Sequence, residues 1–170
     1  MSEIINRLKP FIKDNYRRIN VREYARIQKI SPPTASKLLF QFKKEGLLKQ
    51  EAEKQYIYYY ANKNSDVFID ISRIYWKMEL ENSGLLDYIE NETVTPVIVL
   101  FGSLAKAEAR SDSDIDLAVF TASKKELDLS KYEKILKRKI QVMIFRSKDG
   151  IESKELLNNI LNGYKIRGCW

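Results

Sequence analysis

Apolar residues in the first stretch of the chain recur at helical spacing. Ile4, Ile5, Leu8, Phe11 and Ile12 predict an amphipathic helix that ends between Asn15 and Arg18. Asn20 then stands where an N-cap is needed for a second, short helix from Val21 to Ile27, with Val21, Tyr24, Ala25 and Ile27 as its inward candidates. After a turn at Gln28-Lys29-Ile30, Ser31 caps a third helix and Pro32 occupies its first position, where no amide hydrogen is required. That helix runs to Lys44, burying Ala35, Leu38, Leu39 and Phe42, and Gly46 ends it. Leu47-Leu48, a charged turn from Lys49 to Gln55 and an aromatic strand from Tyr56 to Tyr60 follow. The Tyr56, Tyr58, Tyr59 and Tyr60 cluster is read as packing this strand against the core rather than as a base-stacking platform.

Between Ser65 and Ile89 the pattern is that of a long helix, broken at Ser83-Gly84. Val67, Phe68, Ile71, Ile74, Tyr75, Met78, Leu85, Leu86 and Ile89 form its apolar set. Tyr75 and Trp76 would serve either a dimer face or packing against the chain itself. Beyond Thr95, two continuous apolar runs, Val97 to Phe101 and Ile115 to Phe120, have the character of buried strands. Ser123 to Leu129 reads as a polar connection and Lys131 to Arg138 as a helix burying Tyr132, Ile135 and Leu136. A strand from Ile140 to Phe145 and a last helix from Glu152 to Leu161 follow. Lys165 to Trp170 would add an edge strand or fray. No internal repeat is visible.

The segment joining the two apolar strands carries the chemistry. Gly102-Ser103 ends the first strand abruptly, Leu104 to Ala109 is Ala-rich and helix-compatible, and Ser111-Asp112-Ser113 leads into Asp114-Ile115-Asp116. Side chains alternate along a strand, so Asp114 and Asp116 project on one face. Two carboxylates that close repel and call for a cation or a shared proton. With oxygen ligands alone, the usual solution is magnesium, which also holds substrate phosphates. Gly102 permits close approach of backbone to phosphate, and Ser103 adds a hydroxyl at a helix start.

Composition narrows the alternatives. The 170 residues contain one cysteine, Cys169, and no histidine, which excludes zinc sites and histidine acid–base chemistry within one chain. No apolar run approaches the roughly 20 residues that span a bilayer, and no leader-type apolar block opens the chain, so a cytoplasmic location is expected. The net charge of +7 is uneven: residues 1–60 hold 13 Lys/Arg against 6 Asp/Glu, and the remainder 17 against 17. A basic N-terminal part points to nucleic acid, the alternative being a lysine-rich solvated surface.

Gly102-Ser103-x-Ala105 followed by Ser113-Asp114-Ile115-Asp116-Leu117 resembles the minimal nucleotidyltransferase family of the polymerase-β-like superfamily. The alternative is an ordinary βαβ turn whose acidic residues face water. The resemblance implies a small mixed α/β domain over residues 95–170 that uses Mg²⁺ and an NTP such as ATP. Asp114 and Asp116 would be the catalytic metal ligands, and Gly102, Ser103 and Ser113 would lie against the nucleotide. Lys106 and Arg110 would steady its phosphates or be solvated helix charges. Three helices followed by a β-hairpin likewise resemble a winged helix-turn-helix over residues 1–61, carried mostly by SPPTASKLLFQFKKEGLLKQ. This implies duplex DNA met by Thr34, Ser36, Lys37 and Gln41 on the third helix and by Lys43, Lys44 and Lys54 at its end and on the wing. Winged helices also serve as protein-docking or dimerisation modules. The expectation is therefore a two-domain α+β or α/β chain joined by a helical linker over residues 62–94.

Two departures from the nucleotidyltransferase pattern bear on activity. The family usually places a third carboxylate on the later strand, and Gln141 stands there; Asp112, one residue outside the motif, is a candidate substitute. Ala107 stands where Gly is common, a change that a helix would accommodate. One reading is an enzyme that moves a nucleoside monophosphate onto a hydroxyl of a protein, RNA or small molecule. The other is a weak or inactive, antitoxin-like DNA-binding regulator whose second domain binds nucleotide or a partner protein, with homodimerisation expected only from operator symmetry.

Overall fold

The computed structural model describes residues 2–123 and 125–170. It divides into two compact units, residues up to 72 with 107–111, and residues 73–106 with 112–170. In the first unit, α1 (Ser2–Lys13), β1 (Ile19–Asn20), α2 (Val21–Gln28) and α3 (Pro32–Lys44) precede the hairpin strands β2 (Leu48–Glu53) and β3 (Tyr56–Ala61). The sheet order is β1-β3-β2, antiparallel throughout.

Local chemistry explains most of these boundaries. Asn20 accepts the Glu23 amide at 2.9 Å and Ser31 accepts the Thr34 amide, capping α2 and α3. Lys29 closes α2 in the left-handed conformation. α1 ends at Lys13, earlier than its periodicity predicts. Asn15 turns back to donate to the Phe11 carbonyl at 2.9 Å, and Asp14 accepts from the Tyr16 amide, a local alternative to continuing the helix. Pro10 sits inside α1 and removes the amide that would bond the Asn6 carbonyl. Gln28 supplies the donor from α2 instead, at 3.3 Å.

Several inward assignments fail where the stripe is narrower than the apolar pattern. Ile27, Val67, Met78 and Ile135 are exposed, while Tyr24, Ala25, Phe68 and Tyr132 are buried. Residues 49–53, expected in a charged turn, are strand instead. Only Leu48 of β2 is buried, so the strand carries no alternation signal and is imposed by pairing with β3. Within the tyrosine cluster Tyr59 is buried, but Tyr56 is exposed.

In the second unit the long helix is interrupted as expected. α4 (Asp66–Asn82), whose first residues belong to the first unit, gives way to α5 (Leu85–Glu92) at Gly84, in the left-handed region at φ 78°. Tyr75 and Trp76 are buried against their own chain, so neither is available as a dimer face. A four-stranded sheet follows from β4 (Val97–Phe101), β5 (Ile115–Phe120), β6 (Ile140–Phe145) and β7 (Tyr164–Arg167), in the order β6-β5-β4-β7. β5 runs parallel to β6, and β4 is antiparallel to both β5 and β7. The helices are α6 (Gly102–Ala105), α7 (Ser130–Leu136) and α8 (Lys154–Leu161). One sheet face, Val97, Val99, Phe101, Ala118 and Phe120 with Met143 and Phe145, packs against Leu156, Leu157 and Ile160 of α8. Residue 124 of the predicted connection after β5 lies outside the described residues.

Candidate functional site

Asp114 immediately precedes β5, and Asp116 is its second residue. Asp116 pairs with Phe101 of β4 on one side and with Gln141 of β6 on the other. The amide Nε2 of Gln141 donates to Asp114 Oδ2 at 2.8 Å. A neutral side chain thus touches the acidic pair at the position where the sequence lacks a third carboxylate. Burial, and then the charge of Asp114, push the Asp116 carboxyl above its ordinary range. Among the described residues no donor bonds to that half-buried carboxylate. The donor set is oxygen-only and electrostatically unfavourable as it stands, which fits a hard divalent cation. Among the described residues no three acidic or cysteine side chains gather; Asp112 lies exposed in the preceding turn and completes no such group.

Gly102 is necessary to this packing. Its φ is +71°, and a Cβ there would meet Asp116 Oδ2 at 2.3 Å, so any side chain would displace the carboxylate. Ser103 follows, half-buried, at the second position of α6. The Ala-rich segment is helical only from Gly102 to Ala105, not to Ala109. Lys106 is therefore the C-cap of a single turn, and its ammonium bonds Asn159 Oδ1 of α8 at 2.6 Å. Ala107 is not helical either. It is buried at φ +53°, so the expected easy accommodation of Ala is replaced by left-handed strain at that residue. Arg110 belongs to the first unit, where its guanidinium lies 4.5 Å from the Tyr16 ring centre.

One supporting residue escapes sequence reasoning. Arg138, 9 % exposed, donates to the carbonyl of Ser113, the peptide that leads into Asp114. Its guanidinium lies 4.9 Å from the centre of the Trp76 ring. It also faces Tyr75, whose hydroxyl is pushed well up, chiefly by burial and then by the charge of Glu79. Nothing in a Lys/Arg-rich run, Lys137-Arg138-Lys139, marks the middle residue as buried. A cavity of about 610 Å³ opens at the other end of β5 and β6, lined by Thr121, Lys125, Val142, Ile144 and Arg146 among others. The acidic pair does not line it, so charge rather than enclosure distinguishes the pair.

In the first unit, Ser36, Lys37, Lys43 and Lys44 project from the exposed face of α3, and Lys54 lies at the hairpin tip at φ +53°. Thr34 is bonded to Ser31 at 2.8 Å and Gln41 to Glu45 at 2.9 Å. Both line a groove with Glu3 and Arg7 of α1. The hairpin is partly neutralised within itself, since Arg18 bridges Glu51 and Glu53 at 3.3 and 3.0 Å.

Residues 84–165 match the family described as Polymerase beta, Nucleotidyltransferase. The match contains β4, the Gly102-Ser103 turn, both aspartates and Gln141, and it supports a nucleotidyltransferase-like function for this segment. No curated protein and no solved structure shows a significant match to the chain. Among the described residues no helix is long and apolar enough to cross a membrane.

Proposed function

We propose that the chain is a magnesium-dependent nucleotidyltransferase that moves a nucleoside monophosphate from an NTP to a hydroxyl group. The observation that carries this reading is the half-buried Asp116 carboxylate beside Asp114, to which no donor among the described residues bonds, under a glycine turn that a Cβ would close. Asp114 and Asp116 hold the cation, which supplies charge neutralisation for the triphosphate. Gly102 and Ser103 receive the β- and γ-phosphates, and Ser113 borders the nucleotide. Lys106, anchored on Asn159, keeps a positive charge one turn away. The acceptor oxygen bonds to the α-phosphorus, the bond from that phosphorus to the β-phosphate oxygen breaks, and pyrophosphate leaves. The acceptor proton passes to a carboxylate or to water.

Calorimetry with Mg²⁺ and ATP or GTP tests this on the wild type and on an Asp114→Asn, Asp116→Asn double variant. Binding lost in the variant supports the assignment; equal binding by both refutes it.

The contact from Gln141 to Asp114 favours a second reading. An amide adds no charge and no base, so the site would bind nucleotide with little turnover, and the chain would act as an antitoxin-like regulator. In either reading the basic first unit contacts duplex DNA through Ser36, Lys37, Lys43, Lys44 and Lys54. Thr34 and Gln41 are secondary there because their polar groups already have partners within the chain. A DNA affinity that does not fall with salt would remove this part.

A further inference from the structure

Phe40 is the largest apolar side chain exposed on α3, at 57 %. Helical spacing places Ser36 and Lys37 before it and Lys43 and Lys44 after it, at i−4, i−3, i+3 and i+4. All four are exposed, and the Lys43 ammonium lies 5.9 Å from the Phe40 ring centre. The buried stripe of α3 is a different one, Ala35, Leu39 and Phe42. The stripe facing α1 is different again: Thr34, Leu38, Gln41 and Glu45 line a groove of about 490 Å³ with Glu3, Ile4 and Arg7. Phe40 therefore belongs neither to the core nor to the groove. It stands at the centre of a convex, cationic helix face.

An aromatic ring with lysines before and after it on one exposed helix face, one ammonium 5.9 Å from its centre, is complementary to a surface that is anionic at its edges and apolar at one central point. The major groove of duplex DNA has this character. Phosphates flank it, and the C5-methyl of thymine is the apolar group its base edges present. A hydroxyl at Ser36 and lysines at 37, 43 and 44 can position the helix on the backbone without reading sequence. We propose that Phe40 packs on a thymine C5-methyl in the major groove and sets the sequence preference of the first unit. The inference rests on the reading of that unit as DNA-binding.

The test separates the two. Duplexes are enriched from a random pool with the full chain, and each thymine of the selected site is replaced in turn by deoxyuridine, which lacks only the methyl. At one position the wild type should bind about fourfold more weakly, the worth of one buried methyl. Phe40→Ala should bind the thymine and uracil forms equally while keeping the same salt dependence. Indifference of the wild type at every position, or unchanged discrimination in Phe40→Ala, overturns the assignment while leaving DNA binding intact. Absence of salt-dependent duplex binding overturns both. A Phe40→Ala variant that changes the oligomeric state and leaves DNA affinity untouched assigns the face to a protein contact and overturns the proposal. The substitution is on an exposed surface, so an unchanged circular dichroism spectrum is expected throughout.

Discussion

Gln141 reaches across the parallel strand pair to donate its amide to Asp114, 2.8 Å away, while its own backbone register partner is Asp116. The amide therefore satisfies one carboxylate of the pair from the strand position where the resemblance to the nucleotidyltransferase pattern would place a third acidic residue. Gln141→Asp should remove that donor and add a like charge, lowering stability in the absence of divalent ions by about 1 kcal/mol. Mg²⁺ should restore the loss, and a large gain in nucleotidyl transfer would mark a lapsed enzyme. Thermal unfolding with and without Mg²⁺ reads the first effect. A variant equally stable in both conditions would show that residue 141 does not border the cation.

Asp116 gives a pH signature. Its folded carboxyl is held above the ordinary value of about 3.9 by burial first and by Asp114 second. The folded state therefore keeps a proton that the unfolded state has lost. Stability from this group is fully present below the ordinary value and declines as pH rises through the raised one. Without metal, the wild type should lose stability across that window, and Asp116→Asn should lose less. Urea titrations from pH 3.5 to 7 decide the matter, and parallel curves for the two proteins would contradict it.

The parts of the site that sequence made legible are local. Gly102-Ser103 and the alternating Asp114 and Asp116 sit within one strand–turn–strand segment, and the caps Asn20 and Ser31 act within three residues. What stayed hidden depends on distant partners. Arg138 acts 25 residues from Ser113, and Asn15 bonds Ala109 across 94 positions. Strand β2 looks like a charged turn because five of its six side chains face solvent. Ala107 looks helical because its neighbours are helix formers, yet the helix has already ended at Ala105.

Arg138 should act on the site through the Ser113 carbonyl. Arg138→Ala removes a charged donor and a cation–π contact, with an expected cost of about 2–4 kcal/mol. Arg138→Lys should not restore it fully, since an ammonium lacks the planar surface that stacks on Trp76. Guanidinium chloride unfolding gives the stability loss, and Mn²⁺ binding by paramagnetic relaxation gives the effect on the acidic pair. Metal affinity unchanged in a folded Arg138→Lys variant would confine Arg138 to a packing role.

Ala107 offers a conformational test. On a helix, a buried Ala→Gly change would cost about 1 kcal/mol. At φ +53° the change relieves left-handed strain of about 1–2 kcal/mol while losing a buried methyl and gaining unfolded-state entropy. Ala107→Gly should therefore lie within about 0.5 kcal/mol of wild type, and a loss near or above 1 kcal/mol would place the residue back in a helical conformation.

Asn15 closes the first unit around residues 107–111. Its backbone amide donates to the Ala109 carbonyl at 2.8 Å, its Oδ1 accepts the Ala109 amide at 2.7 Å, and its Nδ2 donates to Phe11 at 2.9 Å. The side chain is buried, so Asn15→Leu leaves an amide and a carbonyl without partners, at about 1–3 kcal/mol for each group. Asn15→Asp keeps the acceptor for Ala109 but sets a buried carboxylate against the Phe11 carbonyl. Its folded pKa should rise, so the variant recovers stability below about pH 4 and loses it as pH increases through the raised value. Hydrogen exchange at the Ala109 amide reports the same bond directly, with protection falling sharply in Asn15→Leu. A variant within about 0.5 kcal/mol of wild type, with that amide still protected, would mean that water replaces the side chain and that the clasp contributes nothing.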